Sequence, residues 1–421
     1  MTRILLFSAD IVPLVDLPCS GGGLRALQLV RTLEVAGHEV LVSSPRHTYL
    51  GRRYGDRLDD AQRALSFTDR PQREIAREVA PELVIFASNW ATIEPGWWPD
   101  CPVVLDLCGL ALIEASCAGP MAERAELFRR KVAALSRADH LLCGGERQQW
   151  YFRQALVLAG YDLLAPAPVS FVPLGLDPSL IQPREMPSEP RFVYAGGLYP
   201  WQDPSLAVEV VLEVLEERGV GELHWFGGSH ELGRGDDERF ARLAALIDAS
   251  PRGRRSGYVS YRELCEALRS QSVSLELMAR SVERELALTT RTPLCLGLGL
   301  PILYGDYAEL SEPIQRAEAG WICDWRDRAA VRRCVEQIVA DPQELARRGR
   351  NAQRLAEERF RWDRIGRGLV DFAAAPRVRA GKACAPARGE LGRLTRGERR
   401  LIEASRARLL APLRGLLKRF F

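Results

Sequence analysis

The chain has 421 residues, of which 47% are apolar and 27% charged, and its formal net charge is +3. These are ordinary values for a globular protein, and the length predicts two domains. No apolar stretch approaches the roughly 20 residues of a membrane-spanning helix, and the apolar run at residues 1–7 is too short for a signal peptide. The ten cysteines form no C-x-x-C pair and the five histidines lack ligand spacing, which argues against a metal site and favours a reducing cytoplasm.

The charge is unevenly distributed along the chain. Pro376–Phe421 holds 13 Arg or Lys and 3 Asp or Glu, a local net charge of +10. Since the total is +3, the rest of the chain carries −7. We therefore expect no nucleic-acid binding by this mildly acidic body.

In the first half, short apolar segments alternate with helical patterns. The predicted strands are Ile4–Ser8, Glu39–Ser43, Leu83–Ala87, Val103–Leu107, His140–Cys143 and Ser170–Pro173. Helical patterns lie between them, for example at Leu24–Ala36, Met121–Ala138 and Glu146–Ala159. This alternation predicts βαβ units and a mostly parallel sheet.

The second half repeats the pattern after a proline-rich linker at residues 179–190. Its predicted strands are Arg191–Ala195, Glu222–Phe226, Gly257–Val259, Val273–Leu277, Pro301–Tyr304 and Trp321–Cys323. The predicted fold class is α/β, with two Rossmann-like, doubly wound parallel-sheet domains at residues 1–178 and 191–360 facing each other across a cleft.

Both halves open with a strand that ends in glycines and leads into a helix. Gly21, Gly22 and Gly23 follow the first strand, and Gly196 and Gly197 follow the strand that opens the second half. Glycine lets a ligand approach the backbone, and the free N–H groups of a helix start favour an anion. Neither turn is a G-x-G-x-x-G, so each could also be only a tight turn.

The sequence of the C-terminal tail predicts a basic amphipathic helix at Leu394–Phe421. Leucines recur at three- and four-residue steps, and Arg and Lys fill the other face. Such helices bind anionic membrane surfaces, so we expect a cytoplasmic protein that is peripheral on the inner face of the cell membrane. The alternative is a helix that packs on the body or on a partner protein. Pro376–Arg388 is expected to be a flexible tether.

Several short motifs occur in a familiar order. They are Gly22-Gly23-x-Arg25, Gly37-His38-Glu39-Val40, Val172–Asp177 (VPLGLD), Tyr194–Leu198 (YAGGL), Gly257–Leu264 (GYVSYREL), Gly299–Ile302 (GLPI) and Arg361-Trp362-Asp363. Together they resemble the GT-B glycosyltransferases of family 4, the group 1 type, over residues 1 to 375. In this resemblance, Arg361-Trp362-Asp363 would open a crossover helix at residues 361–375 that returns to the first domain. The resemblance implies transfer of a sugar from a nucleotide-sugar donor to a glycan or lipid-linked acceptor, without a cofactor or metal and with retention of stereochemistry.

The resemblance also implies donor-binding positions. Gly22, Gly23, Gly196 and Gly197 would approach phosphates, and Tyr258 and Val259 would lie near the nucleotide base. Trp201 could stack on the base or sugar, or only cover apolar surface.

The chain departs from the family where the diphosphate is usually held. The family's Arg and Lys after the second glycine turn are replaced by Gly197 and Gln202, and Arg291 stands in place of the second glutamate after Glu283. We expect Arg291 to supply the lost charge, Thr289 and Thr290 to add hydroxyl donors, and Glu283 to contact the donor. The alternatives are that Arg291 only caps a helix, that Glu283 is a solvated helix carboxylate, or that the nucleotide site has been lost.

Asp106, at the end of a predicted strand, is expected to point into the cleft. It is a candidate catalytic base or acceptor-orienting carboxylate, and retaining stereochemistry would favour the orienting role. Two further functions stay open from the sequence: a non-catalytic GT-B protein that binds a glycan or protein partner, and a sugar-nucleotide epimerase of the same fold.

Overall fold

The computed structural model describes residues 1–14, 16–45, 67–68, 70–88, 90, 93–117, 121–164, 168–228 and 237–382. The chain divides into two compact units, Met1–Ala380 and Gly381–Phe421. Only residues 381 and 382 of the second unit are described, so the predicted helix at Leu394–Phe421 lies outside the described residues. Within the described ranges, no helix combines the length and the apolar character needed to cross a bilayer.

The first half forms a parallel sheet of seven strands in the order β3-β2-β1-β4-β5-β6-β7. The strands are β1 (Arg3–Ser8), β2 (Glu39–Pro45), β3 (Phe67–Thr68), β4 (Leu83–Ala87), β5 (Val103–Asp106), β6 (His140–Cys143) and β7 (Val169–Phe171). Its helices are α1 (Gly21–Val35), α2 (Gln72–Val79), α3 (Ala111–Ser116), α4 (Met121–Arg137) and α5 (Glu146–Leu158).

The second half forms a parallel sheet of six strands in the order β10-β9-β8-β11-β12-β13. The strands are β8 (Arg191–Ala195), β9 (Glu222–Phe226), β10 (Gly253–Ser256), β11 (Val273–Glu276), β12 (Ile302–Gly305) and β13 (Gly320–Cys323). The helices are α6 (Ser205–Arg218), α7 (Asp237–Ala249), α8 (Tyr261–Arg269), α9 (Val282–Leu286), α10 (Arg291–Gly297), α11 (Ser311–Arg316), α12 (Arg328–Ala340), α13 (Pro342–Arg359), α14 (Trp362–Ile365) and α15 (Arg367–Ala374). The fold-class prediction of two doubly wound parallel sheets is confirmed.

The central strands β1, β4 and β8 are apolar and buried along most of their length, because both of their faces are covered. In β1, Leu5 and Phe7 pack into one core of the first half, while Ile4 and Leu6 pack into the core on the opposite face. The side chains of a strand alternate between faces, so a strand buried on both sides is a continuous apolar run. The last helices, α14 and α15, contribute Trp362 and other side chains to one of these cores of the first half.

Two predicted elements begin three or more residues away from the place where the structure has them. Helix α1 begins at Gly21 and not at Leu24, because Ser20 is its N-cap and accepts a hydrogen bond from the Gly23 N–H at 3.4 Å. The predicted strand Gly257–Val259 is wrong. The strand is β10, and residues 257–259 form the loop that leads to Ser260, whose side chain makes a capping box with Glu263 at the start of α8.

The two halves meet at the N-terminus of α5. The backbone N–H groups of Glu146 and Arg147 donate to the carboxylate of Glu309 at 2.9 and 3.0 Å. The Arg147 guanidinium donates to the carbonyl oxygens of Glu285 and Tyr307 at 3.0 and 2.6 Å. A carboxylate from the second half therefore satisfies the free N–H groups at the start of a helix of the first half.

A buried ion pair holds the first half together. Arg25 of α1 and Asp106 of β5 have no exposed side-chain area, and the guanidinium donates two hydrogen bonds to the carboxylate, at 3.1 and 2.9 Å. Arg25 also donates to the carbonyl of Pro173, and the Ser88 hydroxyl donates to Asp106. Asp106 does lie at the end of the expected strand, but its carboxylate does not face open space. Its burial and its bidentate pairing disfavour the role of catalytic base, because its oxygens are already occupied.

We expect Asp106→Asn to destabilise the protein by about 3–5 kcal/mol, because it leaves the buried Arg25 charge uncompensated. The measurement is the free energy of unfolding from urea denaturation. The matched control is Glu34→Gln, which breaks the exposed Arg31–Glu34 pair and should cost less than about 1 kcal/mol. Equal effects of the two substitutions would contradict a structural role for Asp106.

Candidate functional site

The first glycine turn is packed against the protein on one side and faces the second half on the other. A Cβ atom on Gly23 would lie 1.8 Å from the carbonyl oxygen of Ile11, so this position accepts only glycine for reasons of packing. A Cβ atom on Gly22 would lie 3.3 Å from the Ala9 side chain. On Gly21, it would lie 3.2 Å from the hydroxyl of Thr290, which precedes α10. The start of α1 therefore adjoins the start of α10.

The second glycine turn adjoins the same region. A Cβ atom on Gly196 would lie 2.3 Å from the Arg291 Nη1 atom, and one on Gly197 would lie 3.1 Å from the Tyr258 hydroxyl. The Trp225 indole N–H donates to the Gly196 carbonyl at 3.0 Å. Gly196 thus permits a close approach of Arg291 that any side chain would block.

Arg291 is the first residue of α10, and its guanidinium points to the end of β8. Its Nε donates to Glu276 at 2.5 Å, and its Nη1 donates to the carbonyl of Ala195 at 3.2 Å. Its Nη2 contacts the amide oxygen of Gln202 at 3.5 Å, and the guanidinium lies 5.0 Å from the Tyr194 ring centre. The cation therefore lies beside Gln202, one of the two positions at which the expected basic residue is missing.

Glu283 is paired with its own neighbour. Ser281 caps α9, and Arg284 donates two hydrogen bonds to the Glu283 carboxylate, at 2.5 and 2.6 Å. Both side chains are buried. The alternative that Glu283 is a solvated helix carboxylate is therefore wrong, because burial and pairing keep it away from bulk water.

The two threonines before α10 have different surroundings. The Thr289 hydroxyl lies 2.5 Å from that of the buried Thr292, whereas Thr290 is the N-cap residue of α10 and faces Gly21 without a side-chain capping bond. Thr290 is thus the better placed of the two to donate to a ligand between the glycine turns.

The residues expected near the nucleotide base lie along the loops that follow β8 and β10. Trp201 stacks on Tyr199, with ring centres 5.2 Å apart. Tyr258 donates to the carbonyl of Gly228 at 3.4 Å, and Val259 packs on a core cluster of the second half. The Trp201 ring therefore has one aromatic neighbour from its own loop. Burial raises the pKa of Tyr199 to about 12.

Sequence reasoning missed three charged residues of this region: Glu276, Arg284 and Glu114. Glu276 ends a buried strand, and a carboxylate inside the apolar run of β11 is a signal that could have found it. The pairing of Arg284 with Glu283 could have been inferred, because a buried carboxylate needs a neighbouring positive charge. Glu114 lies on α3, against which α9 packs, and no local pattern distinguishes it from a surface glutamate.

No group of three or more His, Cys, Asp or Glu side chains that could hold a metal ion occurs in the part of the chain that the structure describes. The site is therefore made of glycine backbone, paired Arg and Glu side chains, hydroxyl groups and aromatic rings.

No protein-family model matches the sequence, and a search of curated proteins gives no significant match. By structure, the chain is similar to sucrose-phosphate synthase from Thermosynechococcus elongatus, with a TM-score of 0.66 and 17% identity over 89% of this chain and 98% of that one. It is similar to Anabaena HepE in complex with UDP-glucose, with a TM-score of 0.60 and 13% identity over 89% of this chain and 100% of that one. A third similar structure is WaaG, a glycosyltransferase involved in lipopolysaccharide biosynthesis, with a TM-score of 0.57 and 12% identity over 88% of this chain and 100% of that one. The two parallel sheets and these matches, which cover 88–89% of the chain, give this protein the GT-B fold.

Proposed function

We propose that this protein is a glycosyltransferase that moves a sugar from a nucleotide-sugar donor to a glycan or lipid-linked acceptor, in the assembly of a glycan, polysaccharide or glycolipid. The observation that carries the proposal is the convergence of Arg291 and two glycine turns: its guanidinium lies against Gly196, while Gly21 of the first turn faces the adjacent Thr290. HepE, which is similar in fold, was crystallised with UDP-glucose, and this supports a nucleotide-sugar donor.

Arg291 is suited to bind a diphosphate in spite of its pairing with Glu276. Its Nη atoms donate only to weak or neutral acceptors among the described residues: the Ala195 carbonyl, the Gln202 amide and the Met278 sulfur. A guanidinium and a phosphate often form two parallel hydrogen bonds between opposite charges, which a neutral acceptor cannot match. A diphosphate would therefore take over these donors while Glu276 continues to hold Nε.

The main catalytic effect that we propose is stabilisation of the departing nucleoside diphosphate. The negative charge that develops on this leaving group would be stabilised by the N–H groups at the start of α1, the Thr290 hydroxyl and the Arg291 cation. Glu283, whose oxygens keep lone pairs beside Arg284, would accept hydrogen bonds from the donor sugar. In this proposal the transfer needs no metal and retains stereochemistry, so no strong general base is required.

Glu114 is the described carboxylate best placed on the acceptor side. One of its oxygens accepts a hydrogen bond from the Leu110 N–H at 3.2 Å, and the other has no hydrogen-bond partner among the described residues. Burial and the neighbouring Glu283 raise the pKa of Glu114. A half-buried carboxylate with one unoccupied oxygen suits the orientation of an acceptor hydroxyl.

A second candidate function is non-catalytic binding of a glycan or protein partner. The observation that favours it is that both arginines of the site, Arg284 and Arg291, already have carboxylate partners. A site neutralised in this way attracts an anion less strongly than one with an unpaired cation.

We expect the double variant Arg291→Met with Glu276→Gln to stay folded and to lose nucleotide binding. The single change Arg291→Ala would leave the buried Glu276 unpaired, so its effects on folding and on binding could not be separated. The loss of charge-assisted contacts should weaken the binding of UDP, GDP or ADP, whichever stabilises the wild type in a thermal-shift panel, by about tenfold to a hundredfold. Release of the nucleoside diphosphate from the matching nucleotide-sugar should fall by roughly 10²–10³.

The matched control for this experiment is Arg328→Met with Glu209→Gln, which removes an exposed pair of the same half. Wild-type affinity in the Arg291 double variant would contradict the assignment of the diphosphate site. Absence of any nucleotide-induced stabilisation in the wild type would favour the non-catalytic candidate.

We expect Glu114→Gln to raise thermal stability at neutral pH and to leave it unchanged well below the ordinary glutamate pKa of about 4.3. Because the pKa of Glu114 is raised in the folded state, its ionised form opposes folding, and this effect disappears once the group is protonated in both states. The measurement is Tm against pH, with Glu123→Gln on the exposed face of α4 as the control. A lower Tm for Glu114→Gln at neutral pH would mean that this carboxylate stabilises the fold.

We also propose that the tail Leu394–Phe421 places the protein on the cytoplasmic face of an anionic membrane, where a lipid-linked acceptor would lie. Full-length protein should co-sediment with phosphatidylglycerol-containing vesicles at low salt, and a chain that ends at Lys382 should co-sediment far less. This end point keeps the hydrogen bonds of Arg379 to Asp139, Ala138 and Ser136. Equal sedimentation of two folded proteins, judged by Tm, would rule out the tail as the anchor.

A further inference from the structure

Helix α5 has an apolar stripe that no described part of the chain covers. Its buried positions include Phe152 and Leu156, which pack into the core of the first half. On the opposite side, Trp150, Val157 and Leu158 are 67%, 55% and 62% exposed. Trp150, Arg153, Gln154, Val157 and Leu158 follow the spacing i, i+3, i+4, i+7 and i+8, so they form one continuous stripe on the helix.

The loop after α5 extends this surface. Leu163 and Leu164 are 41% and 99% exposed. We call Trp150, Val157, Leu158, Leu163 and Leu164 the outer ridge. It contains five of the eleven exposed large apolar side chains of the described residues, within 15 consecutive positions. Single exposed apolar side chains are common on soluble proteins, but such a cluster indicates a binding surface.

The chemistry of the outer ridge fits a lipid interface. The Arg153 guanidinium lies 3.6 Å from the centre of the Trp150 ring, which combines an amphipathic aromatic with a cation on a long apolar stem. Both types of side chain are suited to the region between lipid headgroups and acyl chains. The remaining members are aliphatic and would enter the acyl boundary.

The path of the chain supports the same assignment. The Arg379 guanidinium lies 4.2 Å from the centre of the Tyr161 ring, and Tyr161 directly precedes Asp162, Leu163 and Leu164. The compact unit ends at Ala380, the residue after Arg379, and the 39 residues after Lys382 carry ten Arg or Lys and three Asp or Glu. The compact unit therefore ends one residue after the contact with Tyr161, and the cationic segment follows it in the sequence.

We propose that the outer ridge is a membrane-docking surface, which inserts into an anionic bilayer while the basic tail supplies electrostatic attraction. This inference rests on the membrane association proposed for the tail and adds a second, separate contact. A single apolar or electrostatic signal gives only weak, reversible membrane binding, whereas two signals together give stable anchoring.

The test is co-sedimentation of the full-length chain with phosphatidylcholine vesicles that contain phosphatidylglycerol, at low salt and in 1 M salt, where charges are screened within about 3 Å. The ridge variant combines Val157→Ser, Leu158→Gln and Leu164→Ser, three changes at exposed positions that should leave Tm unchanged. In 1 M salt, its binding should fall by about tenfold or more relative to wild type, because burial of apolar area then dominates. The control is Val35→Ser, at a 72% exposed position of α1.

The outcomes separate the proposals. Wild-type binding by the ridge variant at both salt concentrations would overturn the ridge inference and leave the tail proposal standing. Failure of the wild type to bind any vesicle would overturn both. If light scattering shows a wild-type dimer that the ridge variant converts to a monomer, with equal vesicle binding, the ridge is a contact between two copies of the chain and the inference is wrong.

Discussion

Charge neutralisation inside a low-dielectric interior is the constraint on which this structure depends. Arg25 is paired with Asp106, Arg284 with Glu283 and Arg291 with Glu276, in each case across 3.1 Å or less. An isolated buried charge is too costly to retain, so each of these arginines fixes the place of its partner. Lys131 satisfies the same constraint differently. Three aromatic rings surround its ammonium group, and burial lowers its pKa to about 7.

Much of the fold could be predicted because its signals are local. Apolar runs alternating with amphipathic helices indicate parallel sheets, and glycines after a strand indicate a close backbone approach. The predicted start of α1 lies three residues late because glycine is a poor helix former, whereas the observed start is set by the Ser20 cap. The sequence of residues 257–259 resembles a strand because it contains Tyr and Val. These residues lie in a loop because Ser260, the next residue, is the N-cap of α8 and forms a capping box with Glu263.

The candidate site was predictable only in part, because its contacts join distant positions. The sequence indicates Arg291 and Glu283 as unusual residues, but pairing partners on other elements decide their state. Glu276 lies 15 residues from Arg291, and Asp106 lies 81 residues from Arg25. The basic residues of the pattern that the sequence resembles are absent from the loop after β8. Arg291 of α10, which is distant in sequence, lies beside Gln202 of that loop.

Helix α5 links two surfaces that were described separately. Its 13 residues form a rod about 20 Å long. At one end, its backbone N–H groups and Arg147 are bonded to Glu309, Glu285 and Tyr307 of the second half; at the other lie Val157 and Leu158 of the outer ridge. One continuous helix therefore joins the contact between the two halves to the exposed apolar surface, so the two surfaces are held at a fixed distance by backbone hydrogen bonds.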